Sequence, residues 1–464
     1  MQMVKDKRYK KLMSTMLSLM IIAIQILLYA YCWFAYYDTI IPEEYSFWRR
    51  GHWLVIAIYG ILLLIISNVY GAYKIGYLRV MDVLFSQILS VVCVNIITWL
   101  QICLINRWII TPLPMLALTI WDVIVIILWI GGSTFLFRYL YPPRRLLLIH
   151  GERNPSFLAD KVNARPDKYA IQEIIDIKEG FDVVQKKMQE YEGVVICDLP
   201  SHERNALLKY CFTNSIRCYM TPKLTDIIMM GSTSIHLFDT PLQLSRNKGL
   251  TPEQRFAKRI VDIAISLIVL ILFSPVLLIS AIAVKLYDGG PVLYKQDRLT
   301  LGGEIFQIYK FRSMRVDSEK HGARLAMKND DRITPVGKIL RTLHVDELPQ
   351  LINILKGEMS FVGPRPERPE IAAKYEEEIP EFHFRLKVKA GLTGYAQVYG
   401  KYNTVPYDKL KLDLYYVQNY SVFLDFKLIM LTVKVLFQKD STEGVDATQT
   451  TAMKDNKDSN LKGN

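Results

Sequence analysis

Residues 12–37 contain no charged side chain, and neither do residues 53–73 or 83–106. A further run, 108–137, contains a single charge, Asp122. Each run matches or exceeds the roughly 20 apolar residues that carry a helix across a bilayer core. The pattern therefore predicts four membrane spans within residues 1–143. The first run is too long for the apolar core of a cleaved leader, and no small-residue cleavage site follows it.

Past Pro142-Pro143 the period of the pattern changes. "RRLLLIHGERN" reads as a buried strand followed by a turn, and "GVVICDLP" as a second strand. "SIRCYMTP" is a third candidate strand, and helical patterns at 181–191 and 202–212 lie between them. Strands alternating with helices suggest a parallel α/β sheet, placed here at residues 144–245. A dinucleotide site would need Gly-x-Gly-x-x-Gly after the first strand. The turn is instead "HGERNPSF", with one glycine and a proline, so a structural or dimerising role is expected of this domain.

Residues 252–287 carry a long apolar helix interrupted by Ser274-Pro275. Proline removes a helical hydrogen bond and crowds the preceding turn, so a kink is expected there. Arg255, Lys258 and Arg259 precede the apolar run and Lys285 follows it, which gives no sidedness. A fifth, kinked span and a helix that enters, bends and returns both fit. Residues 288–437 read as soluble in character, ending in an amphipathic helix over 407–437 that suits either a headgroup layer or a core. A disordered tail is expected over 438–464.

Charge refines this outline. The 464-residue chain carries a net charge of +12. Lys5, Lys7, Arg8, Lys10 and Lys11 precede the first span. Lys74 and Arg79 lie between the second and third spans, and Arg138, Arg144 and Arg145 follow the fourth. These flanks should share the cytoplasmic side, leaving the remaining chain in the cytoplasm. The first outer loop holds Glu43 and Glu44 but also Arg49 and Arg50. Nucleic acid, anionic lipid and phosphorylated substrates would all suit the positive balance, but cytoplasmic Lys and Arg of a membrane protein explain most of it, and no nucleic-acid partner is expected. The six cysteines show no Cys-x-x-Cys spacing, and the seven histidines show no metal-ligand spacing. A disulfide framework or zinc site is not expected.

Candidate chemistry crowds into residues 295–400. Lys295, Arg298, Lys310, Arg312 and Arg315 surround a Gly302-Gly303 turn that reads as a hairpin. Asp330, Asp331, Arg332, Lys338 and Arg341 lead to Asp346-Glu347, and Arg365 and Arg368 follow in "GPRPERP". Arginine offers a planar fork of donors matched to phosphate oxygens. A carboxylate among such cations can ligate Mg2+ or attack phosphorus. Nearby cations are expected to keep it ionised. Asp-Glu before Leu-Pro also fits the acidic first turn of an ordinary helix. Tyr399 and Phe361 read as core residues.

Four segments, "YKFRSM", "DELPQLINILKGEMSFVGPRPE", "GLTGYAQVYG" and "KLDLYYVQNYSVFLDFKLI", resemble the bacterial polyprenyl-phosphate sugar-1-phosphate transferases. These are the monotopic phosphoglycosyltransferases that begin capsule, exopolysaccharide and O-antigen assembly. The likeness covers about residues 252–437. It implies transfer of a sugar-1-phosphate from a UDP-sugar to undecaprenyl phosphate, with release of UMP. It implies that Asp346 forms a covalent phosphosugar intermediate and that Glu347 ligates Mg2+. Lys310, Arg312, Arg332, Arg341 and Arg365 would bind phosphate. It further implies that the helix breaks at Ser274 and Pro275 and re-enters one leaflet, and that the chain is a homodimer among the lipids of the bacterial cytoplasmic membrane. The expected fold is thus a mixed membrane protein. It has an N-terminal four-helix transmembrane bundle, an α/β Rossmann-like cytoplasmic domain, and a re-entrant membrane helix plus an α+β catalytic domain facing the cytoplasm. Two other classes compete. One is a polytopic transferase with a non-covalent mechanism. The other is a membrane-anchored binding or signalling protein with an α/β sensor domain.

Overall fold

A computed structural model describes residues 9–40, 51–151, 154–245, 249–315, 332–400 and 404–436. Lys5, Lys7, Arg8, Glu43, Glu44, Arg49, Arg50, Asp330, Asp331 and the tail 438–464 lie outside the described residues. The chain divides into two compact units between Thr221 and Pro222.

The first unit begins with four long helices. α1 (Tyr9–Cys32) runs on as a π-helical turn, Trp33–Tyr37. α2 (Gly51–Tyr70), α3 (Val80–Ile105) and α4 (Leu113–Leu140) follow. All four are long and apolar enough to cross a membrane. Their packed interior is not purely apolar. Tyr29 stacks on Tyr59 with ring centroids 4.0 Å apart. The Tyr59 hydroxyl donates to Asn95 Oδ1 at 3.0 Å, and Asn95 Nδ2 donates to Thr119 Oγ1 at 2.9 Å and to Asp122 Oδ2 at 3.4 Å. The lone acid of the apolar runs therefore ends a hydrogen-bonded chain, as a buried polar group must.

A four-stranded parallel sheet completes this unit. Its strands are β1 (Arg144–His150), β2 (Tyr169–Asp176), β3 (Gly193–Cys197) and β4 (Arg217–Met220), in the order β2-β1-β3-β4. Helices α5 (Ser156–Asn163), α6 (Phe181–Met188) and α7 (Ser201–Thr213) alternate with them. Leu146 to Ile149 of β1 are buried because both sheet faces are covered, which explains the unbroken apolar run. β2 escaped the sequence reading because "YAIQEIID" mixes polar and apolar positions, as an edge strand can. The alternation ends with β4. The α/β domain, expected to reach residue 245, closes as a packed unit at Thr221.

In the second unit, α8 (Leu224–Met230) buries Leu224 and Ile227 with Tyr375, Phe382, Leu410 and Leu414. A two-stranded antiparallel hairpin follows, β5 (Thr233–Leu237) with β6 (Thr240–Leu244). α9 (Pro252–Leu272) starts on a reciprocal cap between Thr251 and Gln254, with Pro252 in its first turn. It meets α10 (Ser274–Asp288) at a bend of 64°. The non-helical residue is Phe273, and Ser274 and Pro275 open α10. Ser274 Oγ donates to Ile271 O at 2.8 Å and satisfies one carbonyl freed by the bend.

The two halves of this elbow have different surroundings. Near its start, α9 is tied down. Lys258 Nζ meets Asp425 Oδ2 at 2.6 Å. Asp262 Oδ1 accepts from Ser360 Oγ and Phe361 N at 3.0 and 2.9 Å. Toward the bend, Ile268, Ile271, Leu272, Leu278 and Ile279 are all exposed. An apolar surface of this kind marks a membrane or partner interface.

Beyond the elbow lie β7 (Leu293–Leu299) and β8 (Ile305–Phe311), paired antiparallel across Gly302 and Gly303, both at positive φ. The expected hairpin is therefore present, with glycine where a left-handed backbone needs it. α11 (Pro335–Thr342), α12 (Gln350–Lys356), β9 (Ser360–Val362), α13 (Pro369–Glu378), β10 (Gly391–Thr393) and α14 (Tyr395–Tyr399) follow. The helix expected over 407–437 is two helices, α15 (Pro406–Gln418) and α16 (Val422–Leu436). Ser421 Oγ accepts the Leu424 N–H at 3.1 Å and starts the second helix. α15 is a core helix, with Leu410, Leu414 and Tyr416 buried. Phe361 is packed among core residues, as read from the sequence. Tyr399 is not: it is 48% exposed, because it closes a short surface helix and reaches the interior only by leaning on Tyr395.

Candidate active site

Apolar spacing sets the acidic pair in place. In "VDELPQLINIL", Val345 is buried with Val284, Phe311 and Leu340, while Leu351 and Ile354 pack with Phe306, Ile308 and Met359. Asp346 and Glu347 sit between these two anchors on a single 3-10 turn, Val345–Glu347. His344 precedes it at φ 54°, a left-handed conformation that costs a side-chain-bearing residue some strain and reverses the chain out of α11. The Asp-Glu pair therefore belongs to a tight turn ahead of α12, and is not the first turn of a regular helix.

The strand opposite supplies the first cation. Residues 306, 308 and 310 share one face of β8. Phe306 and Ile308 are buried on it, and Lys310 is carried to the same side at the strand's end. Asn353 locks α12 to this strand. Its Oδ1 accepts from Tyr309 N at 3.0 Å, and its Nδ2 donates to Gln307 O at 2.7 Å. Lys310 Nζ then reaches Glu347 Oε1 at 2.6 Å. Arg365 supplies a second contact to the same oxygen, at 3.0 Å.

Arg365 projects from the turn after β9, and that turn is held from behind. Arg385 NH2 donates to Arg365 O at 2.9 Å, and Arg298 NH1 donates to Pro366 O at 3.0 Å. Glu367 pairs with Lys409 and with Arg385, the latter at 3.4 Å, and Arg385 also meets Asp413 Oδ2 at 2.7 Å. Gly363 lies so close to the main chain of Lys389 and Gly391, and Gly394 so close to Gly363, that a Cβ at any of these glycines would overlap backbone. Arg385 and Asp413 are almost fully buried, and burial pushes the Asp413 carboxyl up despite Arg385 and Lys409. Burial acts the same way on Glu367, but Lys409 and Arg385 outweigh it and bring its pKa down to about 2.

The two candidate carboxylates also separate. Burial raises the Asp346 carboxyl, helped by the charge of Glu347, and Lys310, Arg341 and His344 only partly oppose it. Burial opposes ionisation of Glu347 too, but Lys310 and Arg365 overcome it and hold this carboxylate far below the ordinary range. Lys310 itself is lowered, first by burial and then by Arg365, against the pull of Glu347. The sequence-based expectation that nearby cations lower a carboxylate's pKa thus holds for Glu347. For Asp346 the shift is upward, because burial and a like charge are stronger.

Of the seven residues singled out for chemistry, Asp346, Glu347, Lys310 and Arg365 come together directly. Arg341, in the last turn of α11, is near enough to act on the Asp346 charge, and its NH1 is buried without a hydrogen-bond partner among the described residues. Arg312 is elsewhere. It pairs with Asp288 at the end of α10, and its guanidinium lies against Gly290, where a Cβ would collide with it. Arg332 is placed through its main chain, its carbonyl accepting the Arg315 N–H at 2.9 Å. Asn353, Glu367, Arg385 and Asp413 were not found from the sequence. The available signal was a polar residue at an interior position of an apolar helical pattern, as with Asn353 beside Ile354 and Asp413 beside Leu414.

No group of three or more His, Cys, Asp or Glu side chains suited to a metal ion occurs among the described residues. The described residues therefore build no protein-only cage. Mg2+ does not need one, because it commonly takes one or two carboxylates and completes its shell with water and substrate phosphate. Lys310 and Arg365 both meet Glu347 through Oε1, so Oε2 stands outside those two bonds. The donor set fits a phosphate-dependent divalent ion.

Comparison with known proteins converges on this half of the chain. Residues 253–439 match the family model described as bacterial sugar transferase. A UDP-N-acetylgalactosamine-undecaprenyl-phosphate N-acetylgalactosaminephosphotransferase of Aeromonas hydrophila is 42% identical over 40% of this chain and 45% of its own length. A UDP-glucose:undecaprenyl-phosphate glucose-1-phosphate transferase of Escherichia coli K12 is 40% identical over 44% of each chain. A protein of the same description from Caulobacter vibrioides is 41% identical over 48% of this chain and 87% of its own length. The match thus spans about half the length of the first two relatives and most of the third.

Proposed function

The chain belongs to the bacterial sugar transferase family, and on that premise we propose that it moves a sugar-1-phosphate from a UDP-sugar to undecaprenyl phosphate and releases UMP. The observation that carries this reading is a pair of adjacent carboxylates with opposite environments beside an exposed arginine. Asp346 is buried and pushed up, while Glu347 is held down by Lys310 and by Arg365, whose side chain is 45% exposed. Such splitting assigns different roles to neighbouring acids.

In the proposed route, ionised Asp346 attacks the β-phosphorus of the donor. The bond from that phosphorus to the bridging oxygen breaks, and UMP leaves with the electron pair. The product is an acyl phosphate joining Asp346 to the sugar-1-phosphate. An oxygen of undecaprenyl phosphate then attacks the same phosphorus, and Asp346 leaves as a carboxylate. A more basic carboxylate is the better nucleophile, so the raised Asp346 suits attack. Arg365 and Lys310 would neutralise phosphate oxygens, and Arg341 would add positive field at Asp346. Glu347, with substrate phosphate, would hold Mg2+, which when bound would offset charge on the diphosphate.

The exposed apolar flanks of the Phe273 bend support insertion of the α9–α10 elbow into one leaflet, with the second unit on the cytoplasmic side of the inner membrane. The parallel sheet of the first unit, lacking the glycine-rich turn, supports a Rossmann-like domain without a dinucleotide. A homodimer remains part of the proposal, checked by mass measurement in detergent. The deciding experiment incubates the full chain in membranes with a panel of UDP-sugars and undecaprenyl phosphate. UMP should form with at least one donor. Without the lipid, the peptide holding Asp346 should gain the mass of the sugar phosphate. No UMP with any donor would favour a binding or signalling protein. UMP release without an adduct would favour direct transfer.

A further inference from the structure

Within the first unit, a cavity of about 340 Å3 lies between one end of the four-helix bundle and the parallel sheet. Ile75, Val83, Ile130 and Phe137 give it an apolar wall. Four cations line the rest: Lys10 near the start of α1, Arg138 in the last turn of α4, Arg144 at the start of β1, and Lys168 just before β2.

These cations are positioned but not neutralised. Lys10 Nζ lies 4.7 Å from the Phe137 ring centroid, 5.6 Å from Tyr141 and 5.9 Å from Tyr77. Lys168 Nζ lies 4.9 Å from Tyr169 and 5.5 Å from Tyr77. Arg144 NH1 donates to the Tyr219 hydroxyl at 3.0 Å. Aromatic faces and a phenol hold a cation without removing its charge. Among the described residues, none of the four lining cations forms an ion pair. Two acids line the cavity, Asp167 and Glu192. Asp167 is already engaged, accepting Arg165 Nε and NH2 at 2.9 Å each. Glu192 is exposed to solvent. The cavity therefore carries an excess of positive charge.

Its walls are also fixed. Arg165 spans to the loop between α2 and α3, donating to Tyr77 O at 3.3 Å and Leu78 O at 3.2 Å. Gly76 in that loop has φ 72° and sits against the Phe137 ring with no room for a Cβ. Rigid basic walls, an apolar side and a position at the end of four span-length helices together describe a headgroup site.

We propose that this cavity holds the phosphate of an anionic phospholipid, whose acyl chains lie along the bundle and whose headgroup ties the bundle to the sheet. It rests on the four helices being spans, and it is independent of the transfer reaction. The test uses the full chain in detergent, with phosphatidylglycerol or phosphatidylethanolamine added, and reads retained lipid by native mass spectrometry. Phosphatidylglycerol should be kept in preference to phosphatidylethanolamine. Lys10→Gln, Arg144→Gln and Lys168→Gln should each weaken retention, by about fivefold per cation. Lys74→Gln, an exposed change outside the cavity, should have no effect. Should the buried-side variants not fold, Arg138→Gln, at an exposed position, should still show the loss. Equal retention of both lipids, or unchanged phosphatidylglycerol retention in Arg138→Gln and Lys168→Gln, would overturn the proposal. So would a thermal shift by inorganic phosphate alone as large as that by phosphatidylglycerol, which would assign the cavity to a soluble phosphoryl ligand.

Discussion

The second unit contains two clusters built from the same chemistry. In one, Glu347 is held low by Lys310 and Arg365 while Asp346 is pushed up. In the other, Glu367 is held low by Lys409 and Arg385 while Asp413 is pushed up. A split pair of acids among cations does not by itself mark an active site. The clusters differ in access. Arg385 and Asp413 are 2% and 1% exposed and face each other, whereas Arg365 is 45% exposed on its side of Glu347. The first cluster has a cation that a diphosphate can reach. The second turns Arg385 inward, onto the carbonyl of Arg365, while Arg298 holds that of Pro366, and so serves to aim the first.

This contrast breaks if Asp346→Asn and changes in the second cluster do the same thing. Asp346→Asn should lower turnover by about 10^6-fold, the scale seen when a covalent nucleophile is lost. It should not lower Tm. A carboxyl whose folded pKa is raised favours its neutral form, so the ionised group costs stability at neutral pH and an amide relieves that cost. Measuring transfer and Tm on the same sample separates the two effects. Near-normal transfer by this variant would remove Asp346 from the reaction.

Arg385→Met is the complementary change. It leaves Glu367 and Asp413 without their shared buried partner, which should destabilise the unit by about 3–5 kcal/mol. Transfer per folded molecule should fall far less than in Asp346→Asn, because no contact to the reacting acids is lost. A stable Arg385→Met protein with abolished turnover would move Arg385 into the site itself.

The smallest effect sharpens the comparison through pH. Glu367 has an ordinary pKa of 4.5 and about 2 in the fold, so its contribution to stability is present above about 4.5 and lost as pH falls toward 2. Asp346 has the opposite sign, and transfer should already be failing at a pH above its ordinary 3.8 because the neutral acid cannot attack. On acidification, activity should therefore be lost before the fold. Glu367→Gln should reduce the acid-dependent part of the unfolding curve, leaving the share due to Glu347, and leave the acid limb of the rate in place.

The four long helices, 20 to 28 residues each, were legible because unbroken apolar runs need no partner to be recognised. The Gly302-Gly303 hairpin and the acidic turn were legible because glycine and charge are local signals. The rest depended on partners distant in sequence. Arg312 and Arg365 look alike in the chain, yet one closes on Asp288 and the other on Glu347. Asp413 reads as one more charge on a helix until Arg385, 28 positions earlier in the sequence, is folded against it. β2 alternates like an exposed strand although its edge position is decided by β1. Even the direction of the Asp346 shift was misread, because cations are visible in a sequence and burial is not.

The contact of Gly363 with Gly391 and Gly394 limits how this protein can change. At these three positions a single added carbon would overlap main-chain atoms, so mutational libraries there should return only glycine. Sequence change must then be sought at exposed side chains such as Tyr399, while the scaffold beneath stays invariant.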